Sequence, residues 1–138
     1  MAIYTARYQN PELKKGLYLP VRISMGTPAW KLGYTIAGEI RDLMPFGLKG
    51  KGYEDFRREY ASKLDKIGMG KIKLQLSRFQ DGCNNVVLLC YEDVRKQGTW
   101  CHRTMFAEWW KERTGEPVEE LSEKPASPIN RFVQMTIF

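Results

Sequence analysis

The most constraining feature of the chain is the run Val86-Val87-Leu88-Leu89-Cys90-Tyr91, in which apolar residues follow one another without alternation. A strand wetted on one face alternates apolar with polar residues, because successive side chains point to opposite faces. A continuous apolar run instead predicts a strand covered on both faces, the setting of a parallel sheet between two layers. Parallel neighbours require long crossovers, so a chain built round such a strand must also supply helices. After the loop at residues 93–100, residues 101–113 read as a helix, and Pro117-Val118-Glu119-Glu120-Leu121 beyond Gly115 reads as the next strand. That order predicts a right-handed crossover.

Upstream, residues 3–8 and 17–24 are rich in Tyr, Ile, Leu and Val and are parted by Gln9-Asn10-Pro11 and Gly16, which predicts two strands. Residues 53–67 place Tyr53, Phe56, Tyr60, Leu64 and Ile67 at helical spacing, with acids in the first turn and Gly68 just past the end. A second helix is predicted over residues 71–80, where Ile72, Leu76 and Phe79 share a face and Asp81-Gly82 stops the pattern. Glycines and prolines break every apolar pattern in residues 25–50, leaving room for a short strand near residues 34–37; long connections of this kind often carry function. The expected architecture is α/β: a Rossmann-like, three-layer sandwich round a mainly parallel sheet of about four to six strands. A single domain is expected over residues 1–121. Residues 122–138 read as a Pro/Ser linker and an apolar tail able to add an edge strand or support a weak homodimer.

At 138 residues, with 43% hydrophobic and 28% charged, the chain has enough core to fold without a metal or disulfide. No apolar run approaches the roughly 18 residues of a membrane span, and the N-terminal residues lack a secretory pattern, which predicts a cytoplasmic protein without a membrane partner. Cys83, Cys90 and Cys101 are odd in number and sparse, so thiols are expected rather than a disulfide framework. A net charge of +6 biases the surface towards phosphates, and Lys49, Lys51, Lys71 and Lys73 make nucleic acid a possible partner.

Ligands of open parallel sheets bind beyond the carboxyl ends of the strands, where helix N-termini present free backbone donors. Glu92 lies at such an end, and Cys101, His102 and Arg103 open the helix across the loop. Glu92 suits a general base or a hydroxyl-binding carboxylate, Arg103 suits bidentate recognition of an anion, and Trp100 could stack on a planar ligand. His102 is the single histidine and reads either as a structural hydrogen-bonding residue or as a proton-transfer group. Cys101 is a candidate nucleophile at a helix N-terminus, although the cysteine–arginine spacing of a phosphatase loop is absent and a packed thiol is the stronger reading. Cys90, inside the apolar run, reads as core. Cys83, Cys90, Cys101 and His102 nominally make a zinc set, but no CxxC-type pair supports it and no metal is expected. Nor is there a phosphate loop, dinucleotide fingerprint, HExxH site or nucleophile elbow, so no cofactor is implied.

The run Leu88-Leu89-Cys90-Tyr91-Glu92, followed by Cys101-His102-Arg103 and Ala107-Glu108-Trp109, resembles the signature of domain-of-unknown-function family 488 (DUF488). The similarity extends to Ile3-Tyr4-Thr5, to Val21-Arg22 and to the helix opening at Tyr53-Glu54-Asp55-Phe56. Pro20 stands where the family usually has an acid, and the loop before Cys101 is longer than usual. The resemblance implies an α/β fold and places Arg22 with Glu92, Cys101, His102 and Arg103 at the site, without a settled activity.

These observations predict a protein that binds or acts on a phosphorylated or nucleotide-like ligand, Arg22 and Arg103 holding its anionic groups and Glu92 acting on a sugar or on water. The alternatives are a nucleic-acid-binding accessory protein and a non-catalytic interaction module working through residues 132–138.

Overall fold

The computed structural model describes residues 2–80, 85–94 and 98–123. Five strands, β1 (Ile3–Arg7), β2 (Tyr18–Arg22), β3 (Gly38–Glu39), β4 (Asn85–Cys90) and β5 (Glu119–Glu120), form one all-parallel sheet in the order β3-β2-β4-β1-β5. Three helices, α1 (Tyr53–Ile67), α2 (Met69–Phe79) and α3 (His102–Thr114), pack on it. The chain thus adopts the α/β fold with a parallel sheet that its central apolar run demands.

β4 lies in the middle of the sheet, and its side chains divide strictly by face. Val86 and Leu88 join Tyr60, Leu64, Ile72 and Phe106 from the helices, whereas Val87 and Leu89 join Ala6, Tyr8, Leu13 and Leu121 on the opposite face. Both faces are dry, so nothing selects for alternation, and each such aliphatic side chain contributes roughly 1.5–3 kcal/mol by its burial. The covering layers are unequal. All three α-helices share the first face; the second is covered through Leu13 of the 3-10 helix Pro11–Lys15 and by Leu32, Tyr34 and Ile36.

α1 buries Phe56, Tyr60 and Leu64, one residue per helical turn, and carries Glu54 and Asp55 in its first turn, where they complement the helix dipole. Gly68, at φ +93°, ends α1 by donating its N–H to the Leu64 carbonyl and immediately precedes α2. α2 therefore opens at Met69, earlier than the sequence pattern predicts, because Gly70 is absorbed into its first turn.

The short strand expected near residues 34–37 instead lies at Gly38–Glu39, where Gly38 pairs with Val21 and Glu39 with Arg22. The glycine that looked like a breaker is the strand's first residue. A Cβ there would stand 2.8 Å from Phe79 Cε1, so the ring from α2 can lie over the strand only because the residue is glycine. The crossover after β4 runs through α3 to β5, which pairs with β1 rather than with β4.

At the carboxyl end of β1, Arg7 donates from its Nε and Nη2 to the Glu123 carboxylate at 2.8 and 2.9 Å. Of the linker and tail expected over residues 122–138, with its edge strand or dimer contact, residues 124–138 lie outside the described residues, as does Cys83. No helix among the described residues is long and apolar enough to cross a membrane.

Candidate functional site

Because every strand runs the same way, their carboxyl ends share one rim. From adjacent β2 and β4 the chain departs in opposite directions, from β2 to β3 at one edge and from β4 through α3 to β5 at the other. Such a divergence opens a crevice at the strand ends. A cleft of about 710 Å³ lies there, lined by Ser24, Met25 and Gly26 after β2, by Cys90, Tyr91 and Glu92 at the end of β4, and by residues 98–102 leading into α3. Pro45, Lys49 and Phe56 complete its lining. The volume suits a small organic ligand.

The buried part of the lining is a cluster of two thiols and an imidazole, with the exposed Glu92 carboxylate beside it. Cys90 ends β4 in phase with Val86 and Leu88, so its side chain points to the helical face of the sheet, where α3 begins. Its Sγ lies 3.5 Å from His102 Nδ1, and Cys101 Sγ lies 3.7 Å from the same nitrogen. His102 Nε2 is 2.7 Å from the Ile23 carbonyl, which can only accept, so Nε2 carries a hydrogen and Nδ1 faces the two sulfurs. Glu92 Oε2 stands 3.6 Å from Cys90 Sγ on the cleft side. Tyr60 backs the imidazole edge-on, with ring centroids 5.6 Å apart, and fixes its plane.

The charges in this cluster are unequal. Burial alone would raise the Cys101 thiol, but hydrogen bonds with Cys90 and His102, together with the nearby guanidinium of Arg103, outweigh it and hold Cys101 well below its ordinary value. Cys90 is pushed the other way, first because its hydrogen is shared with Cys101 and then by burial. Burial also raises Glu92, reinforced by the negative character of Cys101.

The candidates from the sequence divide into those the fold brings together and those it sends elsewhere. Glu92, Cys101, His102 and Trp100 all line the cleft, Trp100 packing edge-on against Tyr53 and Phe56. Arg22 does not. It is in register with Leu89, whose side chain packs on the face opposite the helices, and its guanidinium donates to Glu39 at 2.8 Å and to the Ser24 and Met25 carbonyls at 2.9 Å. Arg103 is fully buried behind the cleft, bound to Glu120 and to the Glu92 backbone carbonyl; burial opposes its charge, but Glu120 outweighs that and raises its pKa. Both arginines hold the walls rather than line the cavity. Lys49 is the basic side chain among the described lining residues.

Cys90 is the participant that the sequence reading set aside as core. The available signal was its position two residues before Glu92 at the end of the strand, which puts both side chains on one side of an extended backbone. The continuous apolar run concealed that phase.

Fold and site together define a parallel α/β domain with a thiol-rich cleft at its topological switch point. Comparison of the chain with protein-family models, curated proteins and solved structures gave no match.

Proposed function

We propose that the domain binds a small organic ligand with an anionic, phosphorylated or nucleotide-like portion in this cleft and acts on it with the Cys101–His102–Glu92 group. The observation that carries the reading is the convergence of these three residues in the lining of one cleft of about 710 Å³ at the strand ends. Lys49 takes the anion-contacting role, since Arg22 and Arg103 are engaged within the fold. Trp100 supplies a flat apolar wall against which a ring can lie. The likeness to DUF488 supports the same assignment, because Cys90, Glu92, Cys101 and His102, which carry much of it, are residues of this cleft.

The nucleic-acid reading has less support: Lys51 is paired with Glu59 at 3.0 Å and Lys71 with Asp42 at 3.5 Å, leaving fewer uncompensated charges on that surface.

Calorimetry of the purified chain against nucleoside monophosphates and sugar phosphates tests the proposal. Binding should weaken about tenfold in Lys49→Ala, equivalent to about 1.4 kcal/mol. Absence of heat with every member of the panel, or affinities indifferent to both Lys49→Ala and Trp100→Ala, would overturn it.

A further inference from the structure

We propose that Cys90, Cys101 and His102 form a binding site for a soft divalent cation of the zinc class, with the two Sγ atoms and Nδ1 as ligands and a fourth position facing the cleft beside Glu92. The inference rests on the cluster alone and holds whichever organic ligand the cleft accepts.

The geometry comes first. The three donor atoms lie within 4.8 Å of one another and all three residues are buried. Zinc-class bonds of about 2.3 Å to sulfur and about 2.0–2.1 Å to nitrogen, at tetrahedral angles, separate the sulfur and nitrogen ligands by about 3.6 Å. The two sulfur–nitrogen separations are 3.5 and 3.7 Å. Both sulfur–nitrogen edges thus match a tetrahedral site, and the third edge, between the sulfurs, is within 4.8 Å.

The imidazole is held as a ligand would be. Its Nε2 hydrogen is committed to the Ile23 carbonyl at 2.7 Å, the backbone anchor that commonly fixes the tautomer and plane of a metal-bound histidine. Nδ1 faces both sulfurs, at 3.5 and 3.7 Å, so all three donors converge on one point. A cation replaces the acidic hydrogens among these donors: each sulfur binds as thiolate and Nδ1 through its lone pair, and any proton they carried goes to solvent. Two thiolates and one divalent cation sum to zero charge, which a buried site tolerates far better than an isolated thiolate. Two sulfurs and an imidazole favour zinc over magnesium or calcium, which require oxygen ligands.

Glu92 stands outside the closed set. Its carboxylate lies 3.6 Å from Cys90 Sγ and lines the cleft, where it can accept from a water in the fourth position. Three protein ligands with an open position are the pattern of a catalytic rather than a structural zinc site. These three belong to the nominal zinc set that the sequence offers but gives no weight for want of a CxxC-type pair, because one ligand ends a strand and the other two begin the helix beyond a loop.

The test is titration of the reduced, full-length chain with cobalt(II), without any organic ligand, followed by displacement with zinc. The expected result is saturation at one equivalent, with a thiolate-to-cobalt charge-transfer band and the visible bands of tetrahedral cobalt. Cys90→Ser and Cys101→Ser should each lower affinity by more than about tenfold and lose about half of the charge-transfer intensity. X-ray absorption of the zinc-loaded wild type should show sulfur in the first shell, which settles the matter should a serine variant fail to fold. A wild type of native circular dichroism that develops no charge-transfer band, or a zinc shell without sulfur, would overturn the proposal. Phosphate-ligand calorimetry on metal-free and zinc-loaded protein separates its failure from that of the ligand-binding reading.

Discussion

Arg103 and Glu120 form a forked ion pair between α3 and β5, with Arg103 Nε 3.0 Å from Glu120 Oε1 and Nη2 2.8 Å from Oε2. Arg103 Nη2 also donates to the Glu92 carbonyl at 2.7 Å, and Thr5 Oγ1 donates to Glu120 Oε1 at 2.7 Å. A two-residue edge strand, the helix that opens the cleft and the backbone of the cleft carboxylate are thereby tied at one guanidinium. Arg103 is a positioning residue.

Glu120→Ala should consequently destabilise the fold far more than an ordinary surface substitution. Removing one partner of a fully buried pair costs about 3–5 kcal/mol, and the 28% exposure of the Glu120 side chain lowers the expectation to about 2–3 kcal/mol. Arg103→Lys should also destabilise, since an ammonium cannot span Glu120 and the Glu92 carbonyl together. Urea unfolding measures both. A Glu120→Ala change below about 0.5 kcal/mol would show that solvent replaces the carboxylate.

Much of this arrangement is legible in the chain. The bounds of α1 follow from Phe56, Tyr60 and Leu64 at one-turn intervals with Gly68 beyond, and β4 follows from its unbroken apolar run. What is not legible is pairing across distance. Arg22 and Arg103 have the residue type for an anion site, but Glu39 and Glu120, their partners, are 17 residues away in each case. Only the sheet order brings these groups into register. Cys90 became visible as a site residue only once strand phase and the start of α3 were known together.

Tyr60 links the cleft to the core. Its hydroxyl donates to the Leu43 carbonyl at 2.6 Å, fully out of water, while its ring backs His102. Tyr60→Phe keeps the ring but leaves that carbonyl buried and unpaired, which should cost about 1–3 kcal/mol and lower Tm by several degrees. Calorimetric melting checks this; an unchanged Tm would mean that the carbonyl finds another donor.

Asp42 gives the acid limb of the stability profile a local cause. Its carboxyl is held below the ordinary carboxylate range chiefly by the Gln75 amide, 2.6 Å from Oδ2, and further by Lys71, against a smaller opposing effect of burial. A group whose folded pKa is depressed contributes stability above its unfolded value of about 3.9, and that contribution fades as pH falls through the folded value. Asp42→Asn should therefore be less stable than wild type at neutral pH, with the gap closing below about pH 4. Urea midpoints at several pH values test the sign; a gap that widens in acid would contradict it.

Gly38 meets Phe79 more closely than any other residue type allows. An added Cβ would lie 2.8 Å from Cε1 and 3.0 Å from Cζ of the ring, and the backbone of Gly38 is not in the left-handed region, so the expected cost is steric rather than conformational. Phe79 is half-buried at the end of α2, where it packs against the main core. Gly38→Ala should destabilise by about 1–3 kcal/mol. The cause is separable from lost strand pairing by a double-mutant cycle, because trimming the ring in Phe79→Leu removes the clash whereas a pairing defect would persist. Gly38→Ala should then cost at least about 1 kcal/mol less in the Phe79→Leu background than in the wild type. Equal costs in the two backgrounds would transfer the role of this glycine from the ring above it to the strand itself.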